Sequence, residues 1–205
     1  HPHTQHTRMA MVQQSWPLLL MTSILGATIL GSYVVVFGNV GNAFPLPPAV
    51  QTQHRGYFET IYWHGTPRDT TVGIFVLQLA AAAGFLTWFG WLVTAETLEG
   101  PLRHAWVRAS LLGGFLVSSI AWPYAAHAHV VSPTVGRAVG VSACLWVAAL
   151  AVLLMVAVTF EARAPAAPTV GVLLLGNVVV LADGVGWTAN VLRNAIYDVG
   201  PLASS

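Results

Sequence analysis

Residues 121 to 131 read AWPYAAHAHVV and carry two histidines one residue apart, His127 and His129. Imidazole is a first-row transition-metal ligand, and paired imidazoles also suit haem iron. A third candidate ligand, His64, lies in the segment RGYFETIYWHG, and His54 stands just before it. In a continuous α-helix residues i and i+2 point about 200° apart, so His127 and His129 share one ion only where the helix ends between them. Pro133 disfavours helix at Ser132, and Trp122-Pro123 weakens the preceding turn, so an extended backbone at His129 is the condition for a His64, His127, His129 metal site. The alternative is two interfacial histidines beside an aromatic belt formed by Trp122 and Tyr124.

A second constellation lies in LLLGNVVVLADGVGWTANVL. Asp183 is the one acidic residue well inside an apolar stretch. A carboxyl group at membrane depth is costly and usually faces a bundle interior or a water-filled cavity. At helical spacing Asp183, Trp187 and Asn190 share a face, with Asn177 one position around. Gln78, in another apolar run, adds a polar group. Together these residues read as one wall of a transport path, with Asp183 as a proton or cation relay. The competing account is a carboxyl group that holds two helices together. Ser118 and Ser119 read as hydrogen-bonding glue between helices. Glu96 and Glu99, close to Arg103 and Arg108, read as solvated ion pairs.

The elements that position these groups follow from composition. The chain has 205 residues, of which 56% are hydrophobic and 7% charged. A soluble domain is about a quarter charged, so lipid must be the main solvent of this surface. The basic residues are all arginine, which excludes lysine-dependent chemistry within this chain, such as a Schiff base. Net charge is +1 and no basic patch exists, so nucleic acid is not an expected partner. The single cysteine, Cys144, cannot form a disulfide within the chain. No phosphate-binding glycine loop, CxxC or HExxH motif occurs.

Five runs reach the length of about 20 apolar residues that a bilayer requires. They cover residues 16–40, 71–95, 105–126, 138–160 and 169–192. Three of the connections are short, which makes successive helices antiparallel neighbours. The exception follows the first span: FPLPP, then a segment in which Tyr57, Phe58, Ile61 and Tyr62 fall on one helical face. It reads as a short amphipathic helix lying in the interface, with Trp63 at headgroup depth. Small residues at Ala27 and Gly31, Ala80 to Gly84, and Gly136 and Gly140 allow close helix approach. By parity, His54, His64, His127, His129 and Asp183 share one face of the membrane, side B, while the N-terminus lies on side A. Arginines divide evenly between the faces, so the positive-inside rule gives no orientation.

The expected fold is therefore an all-α membrane protein: one transmembrane domain over residues 1–205, with about five spans and an interfacial helix in the first loop. Four spans with a re-entrant segment is the structural alternative. Three function classes remain. The first is a small transporter, channel or channel subunit with the polar path on the fifth span. The second is a metal- or haem-binding redox subunit using the side-B histidines; the sequence does not identify a cofactor. The third is a non-catalytic subunit that packs into a larger energy-transducing, pigment-binding or lipid-binding membrane complex. The bilayer is a partner in every case, and self-association is compatible with each.

The first eight residues, HPHTQHTR, differ from the rest, and their CA-rich coding implies translated leader that forms a disordered tail ahead of Met9 or Met11. Mass spectrometry of the native N-terminus is expected to begin at one of those methionines. An intact HPHTQHTR terminus refutes this.

Overall fold

The structure is a computed structural model that describes residues 2–38, 44–46, 68–189 and 191–192. All the regular elements among them are helical. Helix α1 spans Pro2–Ser32, α2 Arg68–Thr94, α3 Ala105–Val131, α4 Val135–Glu161 and α5 Ala166–Gly176. Two segments have the wider π-helical form: π1, Tyr33–Phe37, continues α1, and π2, Asn177–Trp187, continues α5. Five helical stretches are long and apolar enough to cross a membrane: Trp16–Phe37, Val72–Thr94, Ala105–Val131, Val135–Glu161 and Ala166–Trp187. They match the five expected runs, and the chain is an all-α helical bundle of the membrane type. Helix α1 extends without a break past Trp16 to Pro2. The interfacial helix expected around Tyr57 to Trp63, together with His54 and His64, lies outside the described residues.

Each span buries one stripe. On α4 the buried positions are Ala138, Val141, Leu145, Ala148, Ala149, Val152, Met155 and Thr159, the three-to-four spacing of one helical face. Leu150, Leu153, Leu154 and Phe160 point outward, where lipid tails replace water. Helix α3 packs along α4 and also carries α1 on its other flank, while α5 and π2 lie between α4 and α2. Two apolar clusters result. One fills the side-A half around Trp88, Leu112, Leu116, Val152 and Met155. The other fills the side-B end around Phe37, Trp122, Leu145 and Trp187.

The closest helix contact joins α2 and α5. A Cβ placed on Gly84 would collide with the carbonyl oxygen of Gly171, and one on Gly171 would lie 2.5 Å from the carbonyl oxygen of Gly84. Two backbones therefore touch with no side chain between them, as small residues permit in membranes. Of the small-residue pairs read from the sequence, Gly84 is used in this way. Gly31, Gly136 and Gly140 have nothing within 4 Å of an added Cβ.

Turn chemistry fixes the ends. Thr134 caps α4 by accepting from the Arg137 N–H at 3.2 Å. The Arg137 guanidinium in turn donates to the carbonyls of Ala128 and Ser132 at 2.8 and 3.0 Å, covering the C-terminal end of α3. On side A, Gly100 takes a φ of +57° against the Glu161 side chain, a conformation that glycine adopts without strain.

Gly171→Val is expected to destabilise the detergent-solubilised protein by about 1–3 kcal/mol, because a side chain must force the two backbones apart. Gly90→Ala, where an added Cβ meets nothing within 4 Å, is expected to be neutral or slightly stabilising. Thermal unfolding of both variants checks the contrast; equal melting temperatures contradict the close crossing.

Candidate functional site

The two histidines of AWPYAAHAHVV stay on one uninterrupted helix. Helix α3 runs to Val131, and only Ser132, directly before Pro133, leaves helical geometry (φ −150°, ψ 86°). The restriction that Pro133 imposes thus falls one residue before it and does not reach His129. Pro123 is accommodated within the helix. His127 and His129 therefore diverge by the helical angle and do not share one ion. His129 is buried in the α3 face, 4% exposed. The ring of His127 is half-buried and meets Phe44 edge-on at 5.1 Å, and Phe44 also meets Tyr124 at 5.5 Å. Among the described residues no group of three potential metal ligands converges. The expected metal set also included His64, which is not described. An extended backbone at His129, the condition for that set, is absent.

Trp122 is not part of an interfacial belt. It is 3% exposed and sits at a junction of three spans. Its indole N–H donates to the Tyr33 hydroxyl at 2.7 Å. Its ring lies 5.6 Å from Tyr33, 5.1 Å from Phe37 and 5.6 Å from Trp187. Tyr33 and Phe37 belong to π1 and Trp187 ends π2, so both π segments meet on α3 beside Pro123. Nothing in the sequence reading anticipated the π segments. A signal does exist: the chain has two Val-Val-Val triplets, Val34 to Val36 and Val178 to Val180, and each lies in one of them. Adjacent β-branched side chains crowd the α-helical turn, which weakens the α form there.

Asp183 lies in π2, whose widening departs from the α-helical register on which the polar stripe was drawn. Asn177 is exposed on the outer surface and does not line the interior. Trp187 is buried in the aromatic junction rather than along a path. Gln78 is half-buried on the inner face of α2, between Ile74 and the buried Ala81. Measured from the Gly84–Gly171 crossing, Gln78 lies six residues toward side B, about 9 Å, and Asp183 twelve residues, up to about 18 Å. The two are thus at different depths. Asn190 lies outside the described residues. The expected polar wall reduces to Asp183 and what surrounds it.

There the geometry is unusual. Asp183 Oδ1 is sealed from the exterior and has no hydrogen-bond partner, and the same holds for Thr188 Oγ1, five residues on. The i→i+5 bonding of a π-helix places residues at that separation one turn apart. Thr22 Oγ1 is likewise unmatched, but most hydroxyls among the described residues of the bundle are satisfied by their own helices. Thr28, Thr87, Thr94, Ser118, Ser119, Ser142, Thr159 and Thr169 each donate to the carbonyl four residues earlier. Ser118 and Ser119 therefore bond within α3 and are not glue between helices. Thr159 also accepts from the Trp88 indole at 2.7 Å, which ties α4 to α2. Gly184, next to Asp183, packs close to α4: an added Cβ would lie 3.3 Å from the Ala149 side chain.

The side-A charges also differ from expectation. Arg103 donates from Nε to His104 Nε2 at 3.0 Å, in place of an ion pair with Glu96 or Glu99. Arg108 is buried, with no bond to its Nε.

Asp183→Leu is expected to raise stability by about 1–3 kcal/mol, since it replaces an unmatched carboxyl group with an apolar side chain of similar size. A fall in melting temperature would mean that the carboxyl has a partner. Tyr33→Phe is expected to cost about 0.5–1.5 kcal/mol through loss of the acceptor for Trp122, read in the same melting experiment.

Compared with protein-family models, with curated proteins and with solved structures, the chain matches none.

Proposed function

We propose that this polytopic membrane protein is a small transporter, channel or channel subunit, in which Asp183 accepts and passes a proton or small cation. The observation that carries this reading is the sealed Asp183 Oδ1 without a partner, set in a π-helical segment of a span. A carboxyl group at membrane depth is retained at a cost, and relays are a recurrent reason for it. π-helical turns are rare and concentrate at functional sites. Thr188 adds a second unmatched oxygen one turn away, and Gly184 and Gly186 permit backbone adjustment beside the carboxyl.

A second reading has its own observation. Gly136 and Gly140 lie one turn apart on the outer face of α4, and Gly31 is exposed on the first span. Such ridges favour packing against further helices, in a homo-oligomer or in a larger membrane complex.

In proteoliposomes, wild-type protein is expected to carry a proton or monovalent-cation flux that Asp183→Asn reduces at least about tenfold, the size expected when a charge-assisted interaction is lost. Equal flux for the two proteins would reject the relay. Migration of the native protein with a larger membrane assembly, lost on Gly140→Leu, would favour the second reading.

A further inference from the structure

Arg108 is the largest polar group that the bundle leaves unexplained. The residue is 9% exposed and lies on the inner stripe of α3, with Leu111, Leu112 and Phe115. Its Nε is sealed and has no hydrogen-bond partner, and the guanidinium makes no ion pair among the described residues. Glu96, Glu99 and Glu161, the acidic residues of the side-A turns, are exposed and leave it unmatched. A guanidinium N–H sealed without a partner is expensive and normally marks a group that the rest of the guanidinium meets.

The direction of the side chain indicates where that partner sits. Helical side chains lean toward the N-terminus, so Arg108 reaches back to the side-A start of α3. That start lacks a side-chain cap: His104 occupies the cap position and bonds no helical N–H through its ring. Its carbonyl takes the N–H groups of Val107 and Arg108 at 3.1 and 3.4 Å, which leaves those of Ala105 and Trp106 unmatched. The positive end of the helix dipole is at the same place. Arg103 stands beside it at the surface, and Trp106 is 70% exposed, an indole at the depth where headgroups begin.

We infer that the side-A end of α3 binds the phosphate of an anionic phospholipid. The Arg108 guanidinium and the Ala105 and Trp106 amides would hold the phosphate oxygens. Arg103 adds charge at the rim. A guanidinium with backbone N–H groups at a helix start is a phosphate-binding set. A lipid source is preferred over a free anion because this end of α3 lies at the depth where headgroups begin, which the exposed Trp106 indole marks. The site is independent of Asp183.

The test uses the full chain in phosphatidylcholine nanodiscs with and without phosphatidylglycerol, with bound lipid counted by native mass spectrometry and stability followed by melting. Wild-type protein is expected to retain phosphatidylglycerol in preference to phosphatidylcholine and to melt higher in its presence. Arg108→Gln is expected to lower phosphatidylglycerol retention about tenfold, with phosphatidylcholine retention unchanged. Absence of preference in the wild-type protein overturns the proposal whether or not the Arg108 variant folds. Equal retention by wild-type and a folded Arg108→Gln also overturns it. A melting increase from inorganic phosphate alone, with no lipid preference, assigns the site to a free anion and overturns the lipid source.

Discussion

Lipid offers no hydrogen bonds, and this constraint orders the whole bundle. A backbone or side-chain polar group within the membrane must be matched by protein or remain unmatched at a cost of several kcal/mol. Helices satisfy the backbone. The hydroxyls are then satisfied locally, each by the carbonyl one turn earlier, so serine and threonine become nearly apolar in their outward character. Indoles follow the same logic through specific partners: Trp88 on Thr159 and Trp122 on Tyr33. Against this background the exceptions stand out. Asp183, Thr188 and Arg108 carry sealed atoms without partners, as does Thr22 on α1. The first three carry the two functional inferences made here.

The aromatic junction links these exceptions to the fold. Pro123 deprives α3 of one backbone donor, and the two π segments break the regular bonding of the first and fifth spans. All three irregularities come together around the Trp122 ring. Such local departures are tolerated because large rings fill the space between widened turns, contributing dispersion and edge-to-face attraction. Asp183 lies one turn inside that junction, so its surroundings are set by irregular rather than ideal helix.

The spans were legible because hydrophobic length is a strong signal: the five runs read from composition fall within a few residues of the helices observed. The site was legible only in part. Asp183 stood out because a carboxyl group in an apolar run is chemically exceptional whatever its exact register. Asn177 and Trp187 were placed by a 3.6-residue repeat, and the π-helical form of Asn177–Trp187 departs from that register. The valine triplets carried that information, but periodicity arguments ignore it. His127 and His129 were judged by a helix end that depended on Pro133; the helix instead runs to Val131, and Ser132, directly before the proline, is the residue that leaves helical geometry. Arg108 was read with Arg103, Glu96 and Glu99 as part of solvated ion pairs, whereas its face, shared with Leu111 and Leu112, points inward.

The Gly84–Gly171 contact has a mechanical consequence. Backbones in direct contact, flanked by the Thr87 and Leu174 side chains, leave no slack at that depth, so α5 is pinned against α2 there. Asp183 sits up to about 18 Å farther along the same span. The carboxyl is thus carried by a span anchored in its side-A half, while its own surroundings are set by how π2 packs on α4.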